Sequence, residues 1–265
     1  MKRTLTALAG AALLSAVPAA AQAPSYADGM TLTLDYDGRV VVKVLDVRVE
    51  HVVADGRHRS SARLVSSGIL SVFKRLDQRA SSEGRMSDGV PQPGVFRHRN
   101  LNGRAVTATW GGGDVTTQAT PPYSNLGDPA ATRAQRIEAV DPVTQALRLT
   151  LTPEGRNPCQ GGVRRFFDGK QRYDLDVTFV GAREPDRRER RVGLTNTIRC
   201  SVRFREVAGF RRKTPEERAQ GLRSAITLDF GRYGQGGPWL LSQLRASTVL
   251  GPAVIELRSA QVRYR

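Results

Sequence analysis

The segment Phe166-Phe167-Asp168-Gly169-Lys170-Gln171-Arg172-Tyr173-Asp174-Leu175-Asp176-Val177 decides the fold class. Asp168-Gly169 is a hairpin signal, because glycine tolerates the positive φ that a two-residue turn requires. Before it, Val163 to Phe167 reads as a strand. After it, Gln171 to Val180 alternates, with Tyr173, Leu175, Val177 and Phe179 on one face and Asp174, Asp176 and Thr178 on the other. A period of two marks a strand with one buried and one wet face.

Upstream of this hairpin, Asp141-Pro142 opens a helix. Aspartate caps the free N–H groups, and proline at the first position gives up no hydrogen bond. Val143, Ala146, Leu147 and Thr150 follow at helical spacing, and Pro153 and Gly155 end the element. Downstream, Ala182 to Arg191 is a charge run, expected to be a solvated hairpin loop. The strand Leu194 to Val207 then places Ile198, Cys200, Val202 and Phe204 inward, with Arg199, Ser201, Arg203 and Arg205 outward.

Strands are also expected at Met30–Tyr36, Val40–Val53, Gln78–Met86, Val95–Asn100, Ala105–Trp110 and Val115–Ala119. Asp37-Gly38, Asp55-Gly56 and Asn102-Gly103 are the turn signals between some of them. Arg57 to Leu76 fits one strand, or two kinked at Gly68. Residues 120–136 hold Pro121, Pro122, Gly127 and Pro129, which makes them a connector. It either divides residues 22–265 into two domains or crosses one continuous sheet; the second is preferred, because neither half alone shows a closed core. Arg211 to Arg223 is charged, with Thr214 as a helix cap. Strands return at Ser224–Phe230, Pro238–Ala246 and Val254–Val262. The expected fold is all-β and mainly antiparallel: a large twisted, curled sheet or half-barrel with one or two short helices. Periplasmic lipoprotein-carrier folds are the architectural analogy.

The order Asp141-Pro142 with its helix, Cys159, Asp168-Gly169 with Arg172-Tyr173-Asp174-Leu175, Cys200, then Gly209-Phe210 resembles the bacterial domain-of-unknown-function 3108 family. Val143 departs from the leucine expected after Asp-Pro. The resemblance covers about Asp141 to Phe210, and the N-terminal half fits it more loosely. It implies an exported β-rich envelope protein and carries over no catalytic residue.

Met1 to Ala21 reads as a signal peptide. Lys2 and Arg3 form the basic start, Leu5 to Val17 an apolar run too short to span a bilayer, and Ala19-Ala20-Ala21 the cleavage site. Cleavage between Ala21 and Gln22 is expected, giving a soluble periplasmic chain of residues 22–265. Removing Lys2 and Arg3 lowers the formal charge from +16 to +14. That charge reflects either arginine-rich genome composition or attraction to an anionic partner. Export and the lack of a recognition helix or aromatic RNA-binding signature argue against nucleic acid. The two cysteines, Cys159 and Cys200, are expected to pair, as cysteines of exported chains do. Chain entropy assigns such a loop about 4 kcal/mol.

Catalytic signatures are sparse. His51, His58 and His98 form no zinc pattern. His51 is expected to be partly buried, and His58 and His98 exposed among arginines. No Gly-x-Ser-x-Gly or Ser-x-x-Lys occurs. Asp174 and Asp176, two apart on one strand face, are the residues a hydrolase of envelope polymers would use; Arg172 beside them favours a solvated charged surface. Gly234-Gln235-Gly236-Gly237 lacks the Lys-Ser/Thr of a phosphate loop and reads as a turn. Trp110 and Trp239 line a cleft or plug a sheet end. No cofactor, metal or catalytic residue is expected. The sequence thus points to a non-enzymatic protein binding an apolar or amphipathic ligand or a membrane-associated partner, such as a lipid, another anionic envelope component or an envelope protein. A ligand-free scaffold and an envelope-polymer hydrolase are the alternatives.

Overall fold

The structure, a computed structural model, describes residues 29–68, 71, 75–214, 226–248 and 251–265. The signal peptide with its Ala21/Gln22 cleavage site, and the helix expected after Thr214, lie outside the described residues.

The strands are β1 (Met30–Val40), β2 (Val42–Ala54), β3 (Arg57–Ser66), β4 (Asp77–Ser87), β5 (Val90–Pro91), β6 (Val95–Arg99), β7 (Ala105–Gly111) and β8 (Asp114–Thr120). After a helical connector come β9 (Gly162–Phe167), β10 (Arg172–Arg183), β11 (Leu194–Ala208), β12 (Ile226–Tyr233), β13 (Trp239–Thr248) and β14 (Gly251–Tyr264). They form one antiparallel sheet in the order β8-β7-β6-β4-β3-β2-β1-β14-β13-β12-β11-β10-β9, with β5 on β4. The first and last strands pair in the middle of the sheet, Met30 against Tyr264 and Val40 against Ala253. β1 shows the pattern that builds the core: Met30, Leu32, Leu34 and Tyr36 are buried, while Thr31, Thr33 and Asp35 between them are not.

One expected turn moves. Asp37-Gly38 lies inside β1, and the chain reverses at Val41, a non-glycine residue with φ 66°. Pairing with β14 carries β1 on to Val40, so tertiary hydrogen bonding overrides the local turn signal. Gly38 instead marks a bulge in the β1–β2 ladder, where a Cβ atom would sit 2.8 Å from that of Leu45. Asp55-Gly56 does form its turn, with both residues at positive φ. In the stretch Arg57 to Leu76, the strand stops at Ser66.

The sheet curls until its edge strands β8 and β9 approach, but no ladder joins them. The connector between them closes the seam. On one side the Trp110 indole donates to the Ala139 carbonyl at 3.0 Å, and its ring meets Phe167 edge-on at 6.4 Å. On the other, Val140 bridges Phe166, and the Gly209 amide donates to the Pro129 carbonyl at 2.8 Å. The turn expected at Asp168-Gly169 spans residues 168–171, between the paired Phe167 and Arg172, because Asp168 bonds back to the Lys170 and Gln171 amides; it tucks against β7, where a Cβ on Gly169 would lie 2.5 Å from Val106. Trp110 therefore plugs a sheet end.

The connector contains α1 (Arg133–Ile137), capped by a reciprocal Thr132–Gln135 box, and α2 (Pro142–Thr150). Asp141 caps α2 as its sequence predicts, accepting from the Val143 and Thr144 amides. The helix lies in the concave side of the sheet. Leu147 is fully buried, and with Leu151 it joins Met30, Leu32, Leu34, Tyr36, Leu240 and Leu257 in one apolar cluster. Each such leucine contributes about 1.5–3 kcal/mol by leaving water. The run Ala182 to Arg191, expected as a solvated loop, instead holds α3 (Arg187–Arg191), whose Glu189 is fully buried. Among the described residues no helix is long and apolar enough to cross a membrane.

Candidate functional site

The buried polar groups of the concave side gather around the start of α2. Asp141 is inaccessible; besides capping the helix it accepts from the Ser82 hydroxyl at 3.0 Å, and Ser82 lies 2.7 Å from the Thr144 hydroxyl. Burial pushes the Asp141 carboxyl up, against the hydrogen bonds that pull it down. Ser60, paired with Ser82 on the next strand, bonds the His51 ring Nδ1 at 2.8 Å. Every polar group named here is used internally, so the cluster holds α2 against β3 and β4 and leaves no accessible nucleophile.

The histidines depart from expectation. His51 is wholly buried rather than partly so. His58, expected to be exposed, is 2% accessible and bonds the Gln92 carbonyl at 2.8 Å. His98 is half-buried and bonds the Gln78 side chain at 2.7 Å. The arginines flanking both sit on the opposite face of the strand, so they do not report the environment of the histidine between them. Burial lowers His51 from 6.5 to about 4. A base depressed in the folded state loses stability as pH falls from its unfolded value through its folded one. Between pH 7 and pH 4 the loss reaches about 3 kcal/mol. Asp141, raised by burial, shifts stability the opposite way, so comparison with a variant isolates the histidine. Denaturant titrations should show that His51→Gln loses about 3 kcal/mol less than wild type over that interval; an equal loss would refute the assignment.

Asp174 and Asp176 lie in different environments. Both lie on the face expected, but Asp174 is buried and ion-paired to Arg172 and Arg205, while Asp176 is exposed. The solvated surface expected around Arg172 is covered by α1: Arg172 is 2% accessible, donates to the Gln135 carbonyl at 3.0 Å and pairs with Glu138 at 3.2 Å. A second ionic cluster, missed from the sequence, joins Asp229 to Arg199 at 2.7 Å and Arg183 at 3.1 Å, with Arg183 also holding Glu189 at 2.6 Å. It locks α3 onto β11 and β12. Desolvation raises Asp229 and Glu189, but their arginine partners outweigh it and hold both below the usual carboxylate range.

The Cys159 and Cys200 sulfurs are 1.95 Å apart with Cα atoms at 5.5 Å, and Cys200 is fully buried on the inner face of β11, as its alternation predicts. Residues 234–236 turn between β12 and β13, and Trp239 packs in the apolar cluster around the cysteines. Among the described residues no group of three or more His, Cys, Asp or Glu is arranged to hold a metal ion.

The outer face carries the basic excess. Arg48, Arg63, Arg79 and Arg99 stand directly opposite one another across β2, β3, β4 and β6. Like charges in such positions repel. Most are neutralised locally: Asp77 bridges Arg63 and Arg79 at 2.9 and 3.1 Å, and Glu50 holds Arg48 at 3.0 Å.

No protein-family model matches the chain, and no curated protein matches it. Among solved structures it is similar to a beta-barrel-like protein of domain of unknown function DUF1849 from Brucella abortus. That likeness covers 89% of this chain and 98% of the other, at a TM-score of 0.52 and 11% identity. It shows the fold: a barrel-like, mainly antiparallel sheet.

Proposed function

We propose that the protein is an exported, soluble, non-enzymatic interaction protein of the bacterial envelope, acting in the periplasm without a ligand chamber. One observation carries this reading: the concave side of the sheet is occupied by the chain's own α2, whose Leu147 and Leu151 belong to one buried apolar cluster with Met30, Leu32 and Leu34 of β1. A lipid carrier needs that space open. The internal engagement of Asp174 by Arg172 and Arg205 disfavours the hydrolase alternative in the same way. Export is supported by the basic start, apolar run and Ala19-Ala20-Ala21 site, by the ordered motifs resembling the domain-of-unknown-function 3108 family, and by a cysteine pair at bonding distance.

Native mass spectrometry of protein purified from its own host tests both parts. The expected mass is that of residues 22–265 alone, from the periplasmic fraction. Competitive uptake of a fluorescent fatty acid by delipidated protein would return the carrier reading. An uncleaved species in the inner membrane would overturn export.

A further inference from the structure

Between the β4–β5 hairpin, the C-terminal half of α2 and the loop that follows it lies a groove of about 650 Å³. Val90, Leu149 and Pro153 give it apolar walls, and three arginines converge on it: Arg148, Arg156 and Arg164. Arg148 donates to the Pro91 carbonyl at 2.7 Å and to the Gln92 side chain at 3.0 Å. Arg164 donates to the Pro158 and Gln160 carbonyls, and its Nε is buried without a partner. Arg156 is exposed. Among the described residues none of the three has a carboxylate within ion-pair distance, although most arginines of the outer face do. Asp88 is the carboxylate that lines the groove.

This arrangement is unfavourable as it stands. Burial lowers both Arg148 and Arg164; at Arg148 the more distant Asp141 carboxylate offsets part of this, and the charge of Arg164 adds to it. Arg148 has a structural use at the C-terminal end of α2, where a cation complements the helix dipole. Arg164 and Arg156 have none of that kind. Partly buried guanidiniums without a counter-charge are costly to keep, and a bound anion removes the cost.

We propose that this groove is a binding site for a phosphate monoester, its oxyanion held by Arg148, Arg156 and Arg164 and its organic body resting on Val90, Leu149 and Pro153. Three cations facing one carboxylate suit a group carrying nearly two negative charges, and the guanidinium fork matches its oxygens. The phosphate comes either from a lipid headgroup or from a free small phosphate. The site lies outside the filled concave cluster, so it stands independently of the interaction role: uptake of the fluorescent fatty acid would overturn that role and leave the groove untouched, whereas a copurifying lipid that Arg156→Gln releases would belong to the groove.

Isothermal titration of the mature chain at low salt tests the site with three probes: n-octyl phosphate below its micelle concentration, inorganic phosphate and n-octanol. The expected result is binding of octyl phosphate, weakened by salt, with no heat from octanol. Inorganic phosphate binding as tightly as octyl phosphate supports the site with a free phosphate as its source; weaker binding supports the lipid headgroup. Arg156→Gln and Arg164→Gln should each weaken octyl phosphate about tenfold. Arg156 is exposed, so its variant keeps the test valid even if Arg164→Gln disturbs the loop. Octanol binding as well as octyl phosphate, or unchanged affinity in the folded variants, would overturn the proposal.

Discussion

Replacing Leu147 by alanine is expected to destabilise the protein by about 3–5 kcal/mol, the range for a fully buried leucine whose surroundings cannot collapse. Leu147 is inaccessible and belongs to the buried cluster that includes Met30, Leu32, Leu34 and Leu257 of the central strands. β1 is held on both sides by ladders to β2 and β14, so it cannot shift inward to fill the space. The cavity left behind is apolar and should stay dry. A second readout follows. Wild type should take up no small apolar probe such as benzene, whereas Leu147→Ala should bind it and regain part of the lost melting temperature. Probe uptake by wild type would mean that the concave side is not filled by α2, and the interaction reading would fall with it. A loss below about 1 kcal/mol would show that the helix is only loosely seated.

The Cys159–Cys200 crosslink carries the second large effect. It closes a loop of 41 residues and ties the segment after α2 to the buried face of β11. Loop-closure entropy for that separation is about 4 kcal/mol, which for a chain of this size corresponds to a fall in melting temperature on the order of 10 °C. The double variant Cys159→Ala/Cys200→Ala measures this without leaving a lone buried thiol. Reduction of wild type should reproduce the shift, and reductant should leave the double variant unchanged. Identical melting curves for oxidised wild type and the double variant would refute the stabilising role.

The candidate sites are unevenly legible in the sequence. Alternation alone places Asp174 and Asp176 on one face of β10, but it does not show that Arg172 and Asp174 are buried. The covering residues, Gln135 and Glu138, come from a connector that shows no periodicity. The arginines beside His58 and His98 suggest exposure, but the period of two puts those neighbours on the other face of the strand. The groove arginines carried no signal in the sequence, because Arg148, Arg156 and Arg164 meet only after α2 and its loop fold back beside β9.

What the sequence determined by itself is the local layer of the molecule. The alternation of β1, the Asp141-Pro142 helix start, the inward face of Cys200 and the Asp55-Gly56 turn follow from side-chain period, capping chemistry and glycine-tolerant dihedrals, which act over a few residues; along β10 and β11 the period holds only in part, since Phe179 and Phe204, expected inward, are exposed. Tertiary structure decided the rest. The pairing of β14 with β1 pushed the first hairpin turn from Asp37-Gly38 to Val41. The curl of the sheet brought β8 and β9 together and left the connector to seal them, burying Arg172 and Asp174 and driving Leu147 into the concave side. Those outcomes depend on contacts between residues far apart in the chain, whose free energy exceeds that of any local preference.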